Sequence, residues 1–173
     1  SASRSTSSSR TPGAWHVLIA ADSGNIIQEE LETNNIIDVP MELRPNLFVS
    51  SASWTVSGGN VGGTFKIKND GFAKLPGSAR AGLYLSADDN VTNTDYLCGT
   101  YTTTSAGLDY AEMDTKTISF AIPGNVPAGT YTLGIIADDN GQVIESDETD
   151  NVKIRGTPVT VTGGTLPGQA SNP

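Results

Sequence analysis

Apolar and polar residues alternate with a period of two along most of the chain, and this pattern constrains the fold more than any other feature. Phe65 and Ile67, for example, alternate with polar residues until the turn sequence Asn69–Gly71. Side chains alternate between the two faces of a strand, so such a run predicts a strand with one buried face. Seven runs of this kind lie at residues 47–56, 64–68, 83–86, 96–103, 117–122, 131–137 and 159–162. No segment shows convincing helical periodicity, so we predict an all-β protein.

Seven short strands joined by turns, with 19 glycines and 9 prolines, predict an antiparallel β-sandwich of the immunoglobulin-like type. The chain has a single cysteine, Cys98, so no disulfide within the chain stabilises the fold. Cys98 lies in the apolar stretch 96–99, where we expect a buried small side chain and not a reactive thiol. The core must therefore supply the stability.

The N-terminal region repeats a later part of the chain. Residues 15–22 align with residues 131–138 at a constant offset of 116, and the same offset superposes acidic and amide side chains further on. These later matches are Glu29 with Glu145, Glu32 with Glu148, and Asn35 with Asn151. We therefore predict one complete unit and the last hairpin of the unit before it.

Four segments follow from this repeat. They are a Ser-rich linker at residues 1–11, the C-terminal hairpin of a preceding repeat at 12–44, the complete sandwich at 45–163, and a second linker at 164–173. An isolated hairpin is only marginally stable in water. We therefore expect its apolar side chains Trp15, Val17 and Ile19 to be buried, against the complete unit or another chain.

The charge balance excludes two classes of partner. The net charge is −9, from 19 acidic and 10 basic residues, and no cluster of Lys or Arg offsets it locally. Such a chain is repelled by nucleic acid and by anionic lipid surfaces. No run approaches the ~20 apolar residues that cross a bilayer, so we expect no membrane insertion. Low Lys with much Thr, Ser, Asn and Gly is typical of a secreted or cell-surface module.

A set of short motifs, taken in order, resembles the CARDB domain, the cell-adhesion-related domain of bacteria. The motifs are Gly82–Ser86 with Asp88 and Asp95, Ile122-Pro123, Gly129–Tyr131, Ala137-Asp138, and Glu145-x-x-Glu148-x-x-Asn151. The likeness extends from about Arg44 to Thr162. It implies a seven-stranded sandwich, a tandem arrangement, and a place in large exported surface proteins or beside secreted hydrolases. It brings no catalytic residue with it.

Two acidic turns carry enough oxygen ligands to hold a calcium ion, which takes six to eight oxygens. The first contains Asp138, Asp139, Asn140, Glu145, Glu148 and Asn151, and the second contains Asp88, Asn90 and Asp95. Neither matches the EF-hand pattern. The alternative is that Asp, Asn and Gly simply form the turns and keep the sheet edges soluble.

Catalysis is not expected. The single histidine, His16, lies on a strand of the N-terminal hairpin, so the complete unit has no Ser-His or Cys-His pair. The acidic residues lie mostly on turns, where nothing separates the pKa values of a glycosidase-like pair. Sandwich domains also bind sugars through exposed aromatic rings, and the candidates are Trp54, Tyr84, Tyr101 and Tyr110. Of these, Tyr84 is expected to face away from the core, and Trp54 to anchor it.

These observations predict a non-catalytic extracellular adhesion or spacer repeat, with calcium as a stabilising ion. Its expected partners are neighbouring repeats of the same polypeptide, and a surface protein or glycan. The alternative is a carbohydrate-binding module attached to a secreted hydrolase.

Overall fold

The computed structural model describes residues 10–162. Residues 1–9 and 163–173, which include most of the two predicted linkers, lie outside the described part. The strands in residues 10–162 are β1 (Gly13–Ala20), β2 (Ile36–Leu43), β3 (Leu47–Ser57), β4 (Asn60–Asn69), β5 (Arg80–Ser86), β6 (Tyr96–Thr102), β7 (Met113–Ala121), β8 (Gly129–Ala137), β9 (Val152–Ile154) and β10 (Val159–Val161). A 3-10 turn at Glu32–Asn34 is the one helical element there. No helix in this part of the chain has the length and hydropathy that crossing a membrane requires.

Strands β3 to β10 form a sandwich of two antiparallel sheets. One sheet has the order β3-β4-β7, and the other has the order β6-β5-β8, with β9 and β10 on the far side of β8. The alternating residues meet between the sheets: Phe65 and Ile67 of β4, and Leu83 and Leu85 of β5, are at most 1% exposed. The structure confirms the predicted all-β, immunoglobulin-like sandwich.

The number of strand segments differs from the prediction. The unit contains eight segments where the sequence predicts seven, because β9 was not recognised. β9 pairs with Gly134–Ile136, and β10 pairs with Gly129–Tyr131, along the same edge of β8. They are thus two halves of one edge strand that is interrupted at residues 155–158. Proline is confined to edges because it cannot donate a ladder hydrogen bond, and Pro158 lies in this interruption.

A second, smaller cluster covers the outer face of β5. Tyr84 lies on the face opposite to Leu83, as the alternation predicts, but it is only 2% exposed. It packs with Val91 and Ile136 under the loop 87–95. The loop lies so close that a Cβ at Gly134 would be 2.9 Å from Val91. The expected outward direction of Tyr84 is therefore correct, but the residue is not a surface residue.

The N-terminal hairpin forms a sheet of its own within the described residues. β1 pairs antiparallel with β2 along all eight residues, from Gly13 opposite Leu43 to Ala20 opposite Ile36. Trp15, Val17 and Ile19 are 41%, 44% and 56% exposed. The prediction that these side chains are buried against the complete unit is therefore wrong, because the hairpin does not lay its apolar side on the sandwich.

Candidate functional site

The connection between β8 and β9, residues 138–151, gathers most of the predicted ligands; we call it the acidic connection. Asp138 begins it with a positive φ of 45°, and the N–H of Gly141 donates to the Asp138 carbonyl at 2.9 Å. The N–H of Val143 donates to Asp138 Oδ2 at 2.8 Å. Asp tolerates the left-handed region and bonds its own backbone, which explains why this residue starts the turn.

Glu145 ties the acidic connection to the start of β3. Its carboxylate is buried and accepts hydrogen bonds from the N–H of Leu47 and from Asn151 Nδ2, the latter at 3.0 Å. Burial disfavours the charged form and raises the pKa of Glu145 to about 8, although both hydrogen bonds favour the carboxylate and oppose the shift. Glu148 stays exposed and accepts the N–H of Glu145 at 2.9 Å.

Three side-chain oxygens of the acidic connection are buried without a hydrogen-bond partner. They are Oδ1 of Asp138, Asn140 and Asn151. Asp138 and Asn151 are 5% and 8% exposed, and burial raises the pKa of Asp138. Buried polar atoms are normally satisfied, so these oxygens fit a ligand that accepts lone pairs, such as a hard cation. No group of three or more Asp, Glu, His or Cys residues in the described part is arranged to hold a metal. Any cation there must therefore use the amide oxygens.

Asp139 does not join this group. Arg80 donates to its two carboxylate oxygens at 2.7 and 3.1 Å, and the Tyr84 hydroxyl donates to Oδ2 at 2.6 Å. The Asp139 carboxylate raises the pKa of Arg80, while burial raises the pKa of Tyr84. Sequence reasoning assigned Asp139 to the calcium ligands, but its oxygens already have three donors. Its role in the structure is to join β5 to the end of β8.

The second predicted site, residues 88–95, is a self-contained turn. The Ser86 hydroxyl lies at 3.0 Å from Asp88 and at 3.1 Å from Asp95, and so brings the two carboxylates together. The N–H of Asn90 donates to Asp88, and both the N–H and the hydroxyl of Thr92 are within hydrogen-bond distance of Asp95. These bonds favour the turn-forming alternative for Asp88, Asn90 and Asp95.

The connection between β1 and β2 repeats the geometry of the acidic connection. Asp22 has a φ of 42°, and its carbonyl and Oδ2 accept the N–H groups of Asn25 and Ile27, each at 2.8 Å. Each of these bonds has its counterpart 116 residues later. The strand register repeats as well: Leu18 faces Asp38 and Ile19 faces Ile37, as Gly134 faces Ile154 and Ile135 faces Lys153.

A family model describes the same region as the sandwich. The CARDB model matches residues 44–155. The chain belongs to the CARDB family. CARDB is a non-catalytic family of cell-surface-associated domains. No curated protein sequence matches the chain.

Solved structures similar to the CARDB unit include two single domains and part of a larger enzyme. A CARDB domain from Pyrococcus furiosus, in complex with di-metal ions, is 19% identical with a TM-score of 0.47, covering 68% of this chain and 93% of that one. A domain of a Methanosarcina acetivorans protein described as a putative cell surface protein is 20% identical with a TM-score of 0.49, covering 68% of this chain and 91% of that one. β-Glucosidase 3B from Thermotoga neapolitana is 13% identical with a TM-score of 0.42, covering 72% of this chain but 18% of the enzyme.

Of the four aromatic rings considered for the carbohydrate-binding alternative, only Tyr110 is exposed. Tyr84 and Tyr101 are buried, and Trp54 is half-buried with its ring edge-on to Phe65 at 4.9 Å. Tyr110 is exposed and stacks on Phe72 at 6.1 Å. Sequence reasoning missed Phe72, because it follows the turn at Asn69–Gly71 and belongs to no alternating run.

The nucleophile and base candidates of the chain lie in inert settings. His16 is exposed, and its Nδ1 lies 2.7 Å from Asp38 on the neighbouring strand. Cys98 is half-buried, and burial raises the pKa of its thiol to about 12, which keeps it protonated at neutral pH. Neither residue belongs to an arrangement that activates a nucleophile.

Proposed function

We propose that this CARDB unit is a non-catalytic adhesion or spacer repeat of an exported polypeptide, held outside the cell by neighbouring units. The observation that carries the proposal is the double occurrence of one hairpin. The same strand register, the same positive φ at Asp22 and Asp138, and the same turn hydrogen bonds recur at an offset of 116 residues. A unit that recurs in tandem at a domain-sized period is suited to setting a distance between other domains.

The interior of the sandwich supports a mechanical role. The core cluster joins both sheets, from Leu47 and Phe65 on one side to Leu83, Leu133 and Ile135 on the other. The polar side chains near it serve to hold connections in place, as Asp139 and Glu145 do. A rigid sandwich of this kind keeps the domains that flank it in the polypeptide at a fixed distance from each other.

Antibody labelling of intact cells tests the proposal. Antibodies against the folded chain should label unpermeabilised cells or detect the protein in the culture medium. In affinity gels no polysaccharide should retard the purified chain, and the chain should cleave no chromogenic glycoside. Labelling only after permeabilisation overturns the proposed location. Retention by a polysaccharide that the Tyr110→Ala variant loses would favour the carbohydrate-binding alternative.

A second proposal concerns calcium. We propose that the acidic connection binds one Ca²⁺ through the unpartnered oxygens of Asp138, Asn140 and Asn151, with Glu148 available at its exposed side. Ca²⁺ accepts carboxylate and amide oxygens together, and its flexible coordination suits a turn. The di-metal complex of the Pyrococcus furiosus domain is consistent with cation binding within this family. The turn at 88–95 is left out because its carboxylates are already hydrogen-bonded.

Thermal unfolding in calcium and in excess chelator tests this second proposal. An ion bound only by the folded state at 100 times its Kd adds about 2.7 kcal/mol, which raises Tm by several degrees. Asn140→Ala removes an oxygen without a hydrogen-bond partner, so it should reduce the shift while leaving the chelated protein unchanged. Asn90→Ala is the matched control and should keep the shift. Equal Tm values with and without calcium would show that the acidic residues serve only the turn.

A further inference from the structure

The loop 87–95, which joins β5 to β6, contains an acceptor sequence for N-linked glycosylation. Asn90-Val91-Thr92 matches the pattern Asn-x-Ser/Thr with x other than proline, and we call these three residues the sequon. No other asparagine of the sequence has Ser or Thr two residues further on. Bacterial enzymes that attach such sugars also require an acidic residue two positions before the asparagine, which Asp88 provides. The match is therefore more specific than the three-residue pattern.

Asn90 is exposed on a loop that is anchored to the sandwich. Residues 87–90 are all exposed, whereas Val91 is 4% exposed and packs against Tyr84 and Ile136. Val91 thus holds the loop on the outer face of β5 and β8, while the residue before it stays in contact with solvent. A surface loop is the setting in which a sequon can be modified.

The turn does not account for an asparagine at position 90. Asparagine is favoured in turns where its side chain bonds the backbone or where φ is positive. In residues 10–162 the hydrogen bonds of Asn90 run through its backbone: its N–H donates to Asp88 at 2.8 Å, and its carbonyl lies 3.3 Å from the Ser86 hydroxyl. Its φ is not positive. The side-chain amide is therefore available for reaction.

The other asparagine of the loop shows the contrast. Asn93 is also exposed, but its Nδ2 donates to the Asp139 carbonyl at 3.1 Å, and Asp95 stands where a sequon needs Ser or Thr. Asn93 thus has a role in holding the loop that Asn90 lacks.

The Thr92 hydroxyl completes the sequon at a half-buried position. Its Oγ1 lies 2.8 Å from Thr94 and 3.1 Å from Asp95, both in the same loop. The pairing of β5 with β6 begins outside these contacts, with Leu85 opposite Tyr96. The contacts of Thr92 can therefore be exchanged for contacts with a transferase while the strand pairing is kept.

We propose that Asn90 is the acceptor of one N-linked oligosaccharide. Its Nδ2 attacks the anomeric carbon of an oligosaccharide that is joined to a lipid diphosphate. The C–N bond forms as the bond from that carbon to the diphosphate oxygen breaks. The lipid diphosphate leaves with the bonding electron pair, and the amide nitrogen loses one proton to a base of the transferase. Such donors face the exported side of a membrane, so the inference rests on the export proposed above.

Transfer to the purified chain tests the acceptor directly and does not depend on export. The folded chain, made in cells that lack the transferase, is incubated with a bacterial oligosaccharyltransferase and a lipid-linked oligosaccharide. Intact mass and peptide fragmentation should show one oligosaccharide on the peptide that contains Asn90. The inference is overturned if the wild type gains no mass or if the oligosaccharide lies on another residue.

Four variants separate the sequon from its surroundings. Asn90→Gln and Thr92→Ala should lose all of the added mass, whereas Thr92→Ser should keep it. Asn93→Gln is the matched control, because it changes an exposed asparagine of the same loop outside the sequon, and it should keep the added mass. Asn90→Gln should also keep the wild-type Tm, since the residue is exposed. Added mass that persists in Asn90→Gln would contradict the assignment.

Protein recovered from the cells that make it supplies the second part of the test. Its Asn90 peptide should carry an oligosaccharide. Unmodified Asn90 in protein that antibodies detect outside the cell would overturn the inference and leave the proposed location intact. Protein found only inside the cell, with an Asn90 that accepts the oligosaccharide after purification, would contradict the location and support the acceptor site.

Discussion

At the scale of single residues, Asp139 is predicted to matter for stability and not for calcium. Its side chain is fully buried, and Arg80 and the buried hydroxyl of Tyr84 both depend on it. Asp139→Ala should lower the free energy of unfolding by about 1–3 kcal/mol, because it leaves the buried Tyr84 hydroxyl without its acceptor. Urea unfolding measures the change, with the exposed Asp89→Ala as control, expected within about 0.5 kcal/mol. A calcium-dependent loss confined to Asp139→Ala would contradict this account.

Glu145 should make stability depend on pH. Its pKa is about 8 in the folded protein, above the usual 4.5, so between these values the folded state holds a proton that the unfolded state has lost. The unfolding free energy should therefore fall as pH rises from about 4.5 to 8. Urea midpoints measured in chelator across this range check the slope.

The variant Glu145→Gln stays neutral and serves as the matched test of that slope. In this variant the unfolding free energy should change less between about pH 4.5 and 8 than in the wild type, and at pH 8 the variant should be at least as stable as the wild type. A wild-type slope that persists in Glu145→Gln would assign the titration to another group.

The sequence identified some of these residues correctly but did not predict the role of Asp139. The repeat identified Asp138, Glu145 and Asn151, because each has an identical counterpart 116 residues earlier. The same offset places Ser23 opposite Asp139, which sets Asp139 apart from Asp138, but it does not indicate what Asp139 contacts. Neighbouring residues of a strand end point to opposite sides, and the partners of Asp139 come from 55 and 59 residues away. Pairing over such a distance is decided by the sheet order, which alternation does not specify.

At the scale of elements, the two hairpins should respond differently to the same substitution. Leu133→Asp buries a charge in the core and should prevent folding or cost more than about 4 kcal/mol, since an unpaired buried charge is strongly destabilising. Val17→Asp in this chain affects an exposed face and should change the stability of the sandwich by less than about 0.5 kcal/mol. Circular dichroism during thermal unfolding compares them. A comparable loss in both would mean that β1 is packed in this chain.

Element prediction succeeded where a strand has one buried face. β3 and β4 were predicted because their inward residues alternate with polar ones, and the core between the sheets follows from that alternation. β9 was missed because three residues, Val152–Ile154, are too few to show a period. The cover over Tyr84 was missed because two turn hydrogen bonds fix the path of the loop 87–95: the Ser86 hydroxyl donates to the Asn90 carbonyl, and the Thr92 N–H donates to Asp95. Such bonds produce no periodic pattern in the sequence.

At the scale of the whole molecule, the hairpin and the sandwich should behave as separate units in this chain. The Lys74 N–H donates a hydrogen bond to the carbonyl of Arg10, ahead of β1, at 2.7 Å, and Trp15 and Met41 of the hairpin line one cleft with Phe72 of the sandwich. Leu43, the last residue of β2, is 5% exposed, so a truncation that removes the hairpin should keep this residue. Deletion of residues 1–42 is then predicted to change the unfolding free energy of the sandwich by at most about 1 kcal/mol, because the deleted part buries little of the core.

The opposite truncation provides the contrast for this prediction. Deleting residues 159–173 removes Val159 and Val161, which are 2% and 5% exposed, and also the strand that protects one edge of β8. Burying a Val side chain contributes about 1.5–3 kcal/mol, so this deletion should cost several kcal/mol or abolish folding. Urea unfolding of both truncations, followed by fluorescence of Trp54, measures the difference. If the loss of residues 1–42 proved as costly, the hairpin would belong to the cooperative core of this sandwich.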